Sequence, residues 1–314
     1  MSRHLRVALV QTPAQSLRDF SDGLRKRMKS PNAAQLVIYP ELHLCSLGVE
    51  SMSEQEAVDA YAEPLDGPRD RALRSLAREL GIWLVPGTVL ERAEDGSVYN
   101  TAVVYNPDGE RAAQYRKVFT WRPYEPFCPG REFVVFDMPG HGRVGLSICY
   151  DSWYPEVTRH LAWMGAELVI NLVQTPTTGR TQEIPLNQAN AIVNQVWVAS
   201  VNGASPTAHG GSLLVDPEGH FQIPAAGMED ATLVGIVDFD RVGAARTYGT
   251  SGDSWPWDHF REGDSLLELP LYNGYIDPST WRPTTPPLTS TVLRPTAGSG
   301  VAETGAKDGG SHEQ

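Results

Sequence analysis

The chain has 314 residues, 41% of them hydrophobic, and a formal net charge of −12. That length and apolar content suffice for a sizeable core, while the acidic balance excludes the basic surface that nucleic-acid binding needs. No apolar run approaches the roughly 20 residues of a membrane-spanning helix, and the three cysteines, Cys45, Cys128 and Cys149, cannot all pair and lack close metal-ligand spacing. The composition therefore reads as a soluble, cytoplasmic protein with reduced thiols and no metal or other cofactor.

From the N-terminus, Leu5 to Gln11 is too short for a secretory signal and reads as a first strand. A helix is expected over Ser16 to Lys29, a strand over Leu36 to Tyr39 and a second helix over Pro68 to Leu80. Strands follow at Ile82 to Val89, Val98 to Tyr105 and Glu110 to Arg116, the last two joined by the turn Asn106-Pro107-Asp108-Gly109. Phe133 to Asp137 and Val144 to Ile148 come next, then a helix Pro155 to Met164, a strand Leu168 to Val173, a helix Thr181 to Asn194 and a strand Val196 to Val201. Ser212 to Val215 and Leu233 to Val237 complete the strands, with Asp216-Pro217-Glu218-Gly219 as a turn. The pattern is α/β with a hairpin-rich portion.

Strand signals continue without a polar linker, which points to one domain over residues 1–283. From residue 247 onward an arm carries Trp255, Trp257, Tyr272 and Tyr275, residues suited either to wrapping a second subunit or to packing on their own domain. Residues 284–314 are rich in Thr, Pro, Gly and Ser and read as a flexible tail.

Three strand exits carry reactive groups. Leu36-Val37-Ile38-Tyr39-Pro40-Glu41 ends in a carboxylate, Gln114-Tyr115-Arg116-Lys117 ends in a cation, and Gly145-Leu146-Ser147-Ile148-Cys149 ends in a thiol. After Cys149, Asp151 or Ser152 can cap a helix whose first turn holds Pro155. A thiol at a helix start meets positive potential and free N–H groups that favour a thiolate and any neighbouring oxyanion. Taken singly, each residue is ordinary: cysteines are commonly buried, and charges commonly end strands in solvent. Together they supply a nucleophile, a proton carrier and an oxyanion partner.

Other patterns carry less. Gly140-His141-Gly142-Arg143-Val144-Gly145 has dinucleotide-loop spacing but leads into a strand instead of out of one. Gly145 to Cys149 resembles a serine-hydrolase elbow, except that cysteine replaces the last glycine. The eight histidines lack a His-x-x-x-His pair, which argues against catalytic zinc. A Cys–His protease would leave Glu41 and Lys117 without a role.

In these motifs and their order the chain resembles the nitrilase superfamily of carbon–nitrogen hydrolases. Pro40-Glu41-Leu42, Tyr115-Arg116-Lys117 and Gly145-Leu146-Ser147-Ile148-Cys149-Tyr150-Asp151 are similar to its glutamate, lysine and cysteine motifs. Ala189 to Gln195 and Gly211 to Gly219 resemble its later segments. Lys117 to Gly130 is similar to the aliphatic amidase and formamidase branch, which places a second glutamate eight positions after the lysine, here Glu125. The Cys-Trp-Glu of true nitrilases is replaced by Cys149-Tyr150-Asp151, closer to omega-amidase-like members, so amides are favoured over nitriles. One departure is the loop after Glu41, where the glycine, Gly48, lies seven positions on and is followed by Val49.

The resemblance implies a four-layer α-β-β-α sandwich, a homo-oligomer and a small-molecule amide substrate. It implies catalytic roles for Glu41, Lys117, Glu125 and Cys149. Tyr150, Trp153 and Trp121 are candidates for substrate contact, with plain packing as the alternative. The expected reaction is hydrolysis of a small carboxamide through a cysteine thioester. Alternatives are nitrile, N-carbamoyl or omega-amide hydrolysis, acyl transfer, and a catalytically silent scaffold.

Overall fold

The computed structural model describes residues 2–30, 33–45 and 54–284. The first part of the chain runs β1 (His4–Gln11), α1 (Leu17–Arg27), β2 (Leu36–Ile38), α2 (Glu54–Tyr61), α3 (Pro68–Leu80), β3 (Trp83–Val85), β4 (Thr88–Arg92), β5 (Val98–Tyr105) and β6 (Arg111–Arg116). It continues β7 (Val135–Met138), β8 (Gly142–Ile148), α4 (Pro155–Trp163), β9 (Leu168–Val173), α5 (Arg180–Asn194), β10 (Trp197–Asn202), β11 (Leu213–Val215), β12 (Phe221–Ile223), β13 (Ala231–Asp238) and α6 (Asp240–Tyr248). A short hairpin of β14 (Leu267–Leu269) and β15 (Gly274–Ile276) lies in the C-terminal arm.

One sheet has the order β13-β1-β2-β3-β5-β4, with β6 added on β5, and the other has the order β12-β11-β10-β9-β8-β7. Three apolar clusters define the layers. Leu5, Val7 and Leu9 of β1 meet Leu146 and Ile148 of β8 and Leu168, Ile170 and Leu172 of β9 between the sheets. Ala8 and Val10, pointing the other way as strand alternation requires, pack with Phe20 and Leu24 of α1 and Leu73 and Leu76 of α3. On the far side, Val169 and Val198 pack against Val157 and Leu161 of α4 and Ala191 of α5. The result is an α-β-β-α sandwich.

The helices follow local rules. Ser16 caps α1 by accepting from the Asp19 amide; α3 begins at Pro68 and ends at Gly81, whose φ of +62° suits a left-handed C-cap. Leu73, Leu76 and Ala77 recur at three- and four-residue spacing and supply the buried face of α3.

Two expectations need correction. The single strand over Ile82 to Val89 is two strands, β3 and β4, interrupted at Pro86-Gly87. Gly87 has φ +92°, and a Cβ there would fall 1.8 Å from the Pro40 carbonyl oxygen, so the break lets the chain pass closely beneath the Pro40-Glu41 segment. Neither Asp151 nor Ser152 caps α4. Residues Cys149–Trp153 form a 3-10 turn, Tyr154 precedes α4 without a side-chain cap, and the Asp151 carboxylate is turned back into the core.

Beyond α6, the arm packs on its own chain. The Trp257 indole donates to the Asn194 carbonyl at the end of α5, and Trp281 donates to the Pro256 carbonyl. Leu271, Tyr272 and Tyr275 remain exposed. The tail over 284–314 lies, save Thr284, outside the described residues, as do Ser46, Gly48 and Val49 of the loop after Glu41.

Candidate active site

Strand direction brings the reactive groups to one end of the sandwich. β2 and β3 are parallel, β5 is antiparallel to β3, and β6 is antiparallel to β5, so β6 runs with β2. Glu41 beyond β2 and Lys117 beyond β6 consequently leave the sheet on the same side. In the facing sheet β8, β9 and β10 are parallel and deliver Cys149 and the segment after Val173. The two exits are joined directly, since the Glu41 amide donates to the Val173 carbonyl at 3.3 Å.

Lys117 lies between two carboxylates. Its Nζ is 3.0 Å from Glu41 Oε1 and 2.6 Å from Glu125 Oε2. Asn100, at the start of β5, donates its amide to Glu41 Oε1 at 2.7 Å and Glu125 Oε1 at 3.2 Å. The Trp121 amide donates to Glu125 Oε2 at 2.6 Å, so the loop following Lys117 folds back to place that carboxylate. Glu41 and Lys117 are 2% and 1% exposed, which removes water as a competing partner and strengthens each interaction.

Cys149 terminates β8 with φ +47°, a left-handed conformation that costs free energy for any residue but glycine and lifts the side chain from the strand. Its amide donates to Asn171 Oδ1 on β9 at 3.1 Å, and Ser152 Oγ donates to its carbonyl at 2.9 Å. Asp151 ties this turn to the lysine segment. The carboxylate accepts from Tyr115 Oη at 2.7 Å and from the Phe119 and Ile148 amides at 2.9 Å each. Tyr115 and Phe119 bracket Lys117, and Ile148 precedes Cys149.

The electrostatics follow from burial and charge. Burial pushes the Glu41 carboxyl above its usual range; the Lys117 ammonium opposes that shift and the Glu125 carboxylate adds to it. Burial works against the Lys117 ammonium, but Glu41, Cys149 and Glu125 outweigh it and leave its pKa raised. The Cys149 thiol is pushed well up by burial and then by Glu41, with Lys117 acting in the opposite sense. Asp151 is raised to about 6 by burial, despite its three donors. The resting arrangement thus favours a protonated thiol within the field of the Glu41 carboxylate and the Lys117 ammonium.

The sequence-expected residues fall into two groups. Glu41, Lys117 and Glu125 are in direct contact, with Cys149 close enough for their charges to act on it. Trp121 joins them through its main-chain amide while its exposed ring lies against Tyr124, centroids 4.5 Å apart. Tyr150 and Trp153 lie in the cysteine turn with rings 6.1 Å apart; Trp153 is exposed and Tyr150 partly buried. Sequence reasoning missed Asn100 and Asn171, each a polar residue inside an otherwise apolar strand and each 1% exposed. That mismatch was their available signal.

A sandwich of this topology with carboxylate, ammonium and thiol at its seam defines a class, and comparison identifies it. The sequence profile of the family described as carbon-nitrogen hydrolase matches residues 6–247, and the chain belongs to that family, within the nitrilase superfamily. Omega-amidase NIT2 of Homo sapiens is 31% identical over 266 residues, covering 77% of this chain and 91% of its own. A hydrolase of Mycobacterium tuberculosis is 33% identical over 236 residues, covering 68% and 81%. Among solved structures, Saccharomyces cerevisiae Nit3 has a TM-score of 0.68 at 28% identity, covering 79% of this chain and 94% of its own. An amidase from Nesterenkonia sp. has a TM-score of 0.64 at 28% identity, covering 79% and 95%. A variant of the Nesterenkonia enzyme carries the acetamide moiety of fluoroacetamide on its active-site cysteine. The protein is accordingly a carbon–nitrogen hydrolase.

Proposed function

We propose that this hydrolase cleaves a small carboxamide to a carboxylic acid and ammonia, with Cys149 as nucleophile, Glu41 as proton carrier, Lys117 as oxyanion partner and Glu125 as the group that orients them. The observation that carries this reading is the Lys117 ammonium bridging Glu41 and Glu125 within electrostatic reach of the Cys149 thiol.

In the first half-reaction Glu41 takes the thiol proton as sulfur bonds to the amide carbon. The carbonyl electron pair moves to oxygen, where Lys117 and the Tyr150 amide stabilise it. The pair returns, the C–N bond breaks, and the Glu41 proton leaves with ammonia, giving a thioester. In the second half-reaction Glu41 takes a proton from water, hydroxide adds to the thioester and the thiol departs with that proton. Glu41 ends each half-reaction as it began. Glu125 accepts from Lys117 and holds the nitrogen or water at the attack position. Tyr150, Trp153 and Trp121 flank this position and contact the acyl group, a nucleophilic thiol suits a reducing cytoplasm, and the exposed Leu271, Tyr272 and Tyr275 of the arm suit a homo-oligomer interface.

A second reading, hydrolysis of an omega-amide, draws on the identity to omega-amidase NIT2. Intact-mass spectrometry during turnover of a panel containing acetamide, propionamide and succinamate tests both. A mass increase matching the acyl group, absent from Cys149→Ala, together with ammonia release, supports the thioester route. Turnover of succinamate with no turnover of the neutral amides favours the second reading, and no adduct with any amide overturns both.

A further inference from the structure

Cys149 has a second set of neighbours that the proposed chemistry does not use. Thr175, two residues beyond β9, places Oγ1 4.0 Å from Cys149 Sγ. The same hydroxyl donates to Glu183 Oε1 at 2.8 Å, and Arg180 Nη1 donates to Glu183 Oε2 at 2.9 Å. Arg180 is in turn fixed by Ser200 Oγ at 3.0 Å and the Gly211 carbonyl at 2.8 Å. Thr175, Glu183 and Arg180 are 8%, 5% and 2% exposed, so a buried ion pair is spent on orienting one hydroxyl.

The direction of these bonds has a chemical meaning. A hydroxyl carries one proton, and an ionised carboxylate only accepts. Glu183 Oε1 accepts the Thr175 proton while Arg180 holds Glu183 Oε2, so the Thr175 proton is committed to Glu183 and only lone pairs face the sulfur. Thr175 is therefore an acceptor for the S–H group and not a donor to a thiolate. We infer that Thr175, locked by Glu183 and Arg180, is a positioning residue that holds the Cys149 proton between turnovers, so that the free enzyme keeps an unreactive thiol and the thiolate forms only as Glu41 removes the proton onto an arriving substrate.

The inference rests on Cys149 being the nucleophile but not on the identity of the amide. The charged groups acting on this sulfur are Glu41 beyond β2, Lys117 beyond β6, Glu125 in the loop that follows, and Glu183 and Arg180 on α5. Asp151, in the same turn, points its carboxylate toward Tyr115, Phe119 and Ile148. In Glu183→Gln the side-chain amide can donate to Thr175, freeing the hydroxyl proton to turn toward a thiolate.

The test is the pH dependence of alkylthiolation by methyl methanethiosulfonate, a probe without an amide, read at Cys149 by peptide mass spectrometry. Glu183→Gln is expected to lower the titration midpoint by about one unit, an about tenfold gain in reactivity at neutral pH. Thr175→Val in the Glu183→Gln background is expected to reverse most of that gain. A gain that persists in the double variant means that lost charge alone is responsible, and an unchanged midpoint in Glu183→Gln means that Thr175 is not locked; either result overturns the inference. Should Glu183→Gln not fold, Thr175→Val and Thr175→Ser decide the matter. The inference expects Thr175→Val, which removes the acceptor for the S–H group, to lower the alkylthiolation midpoint and Thr175→Ser to keep the parent's, and an unchanged midpoint in Thr175→Val overturns it. Loss of amide turnover without a change in these midpoints instead tests the proposed reaction.

Discussion

Tyr115 donates its hydroxyl proton to Asp151 at 2.7 Å, joining the strand that carries Lys117 to the turn that carries Cys149. The contact crosses from one sheet of the sandwich to the other, and both partners are buried. It makes Asp151 a fastener between two groups that are distant in sequence, and its substitution the first prediction.

Asp151→Asn must present an N–H face to one of three donors, Tyr115 Oη or the amides of Phe119 and Ile148. The variant is expected to lose about 1–3 kcal/mol of stability, measured by urea denaturation, and roughly tenfold in kcat. The pH dependence adds a sign. The folded pKa of about 6 exceeds the ordinary aspartate value, so the folded state holds this proton more tightly than the unfolded chain. The resulting stabilisation is complete below the unfolded pKa and is lost as pH rises through about 6. Asp151→Asn should remove that contribution, flattening stability between about pH 4 and 6 relative to the parent.

In the proposed mechanism Glu41 must be ionised to accept the thiol proton, and burial raises its pKa. Activity is expected to fall on the acid side as pH drops through a midpoint above the ordinary glutamate value. Steady-state kcat/KM from pH 4.5 to 9 checks this, and a profile that stays flat across that span contradicts the assignment. Glu41→Gln is expected to retain the fold and lose at least about a thousandfold in kcat.

Asn100 donates to both carboxylates and helps keep Glu41 ionised. Replacement by Leu removes that donor while filling similar space. The acid limb of kcat/KM should then move upward by about half a unit to one unit, with up to about a tenfold loss at pH values on that limb. A loss of rate without movement of the limb would assign Asn100 to packing.

Gly87→Ala tests the close approach beneath the glutamate segment. The new Cβ would overlap the Pro40 carbonyl oxygen, and alanine is strained at φ +92°. A loss of about 2 kcal/mol or more is expected in chemical denaturation, with kcat reduced because Pro40 and Glu41 must shift together.

Much of this arrangement was legible in the chain because it depends on short-range patterns. Apolar strands ending in Glu41, Lys117 and Cys149 revealed where the reactive groups leave the sheets, and the amphipathic spacing of Pro68 to Leu80 gave α3 its bounds. What escaped was long-range. Asn100 and Asn171 interrupt apolar strands, and their partners, Glu41, Glu125 and the Cys149 amide, lie up to 59 positions away. Glu183 and Arg180 stand at the start of α5, where charge is ordinary, yet both are buried against the segment after β9. The Pro86-Gly87 break interrupts the otherwise apolar stretch Ile82 to Val89 at a Pro-Gly pair, itself a turn signal, and its structural reason is a contact with Pro40. Asp151 was read as a local cap, whereas its partners include residues more than thirty positions earlier.

The bond from the Glu41 amide to the Val173 carbonyl puts the reactive centre astride a seam, with acid and ammonium rooted in one half of the sandwich and sulfur in the other. Neither half owns a working set. A slip of one layer past the other by about an ångström would silence turnover while leaving helices and sheets intact, so on gentle heating the enzyme should fall quiet before it melts.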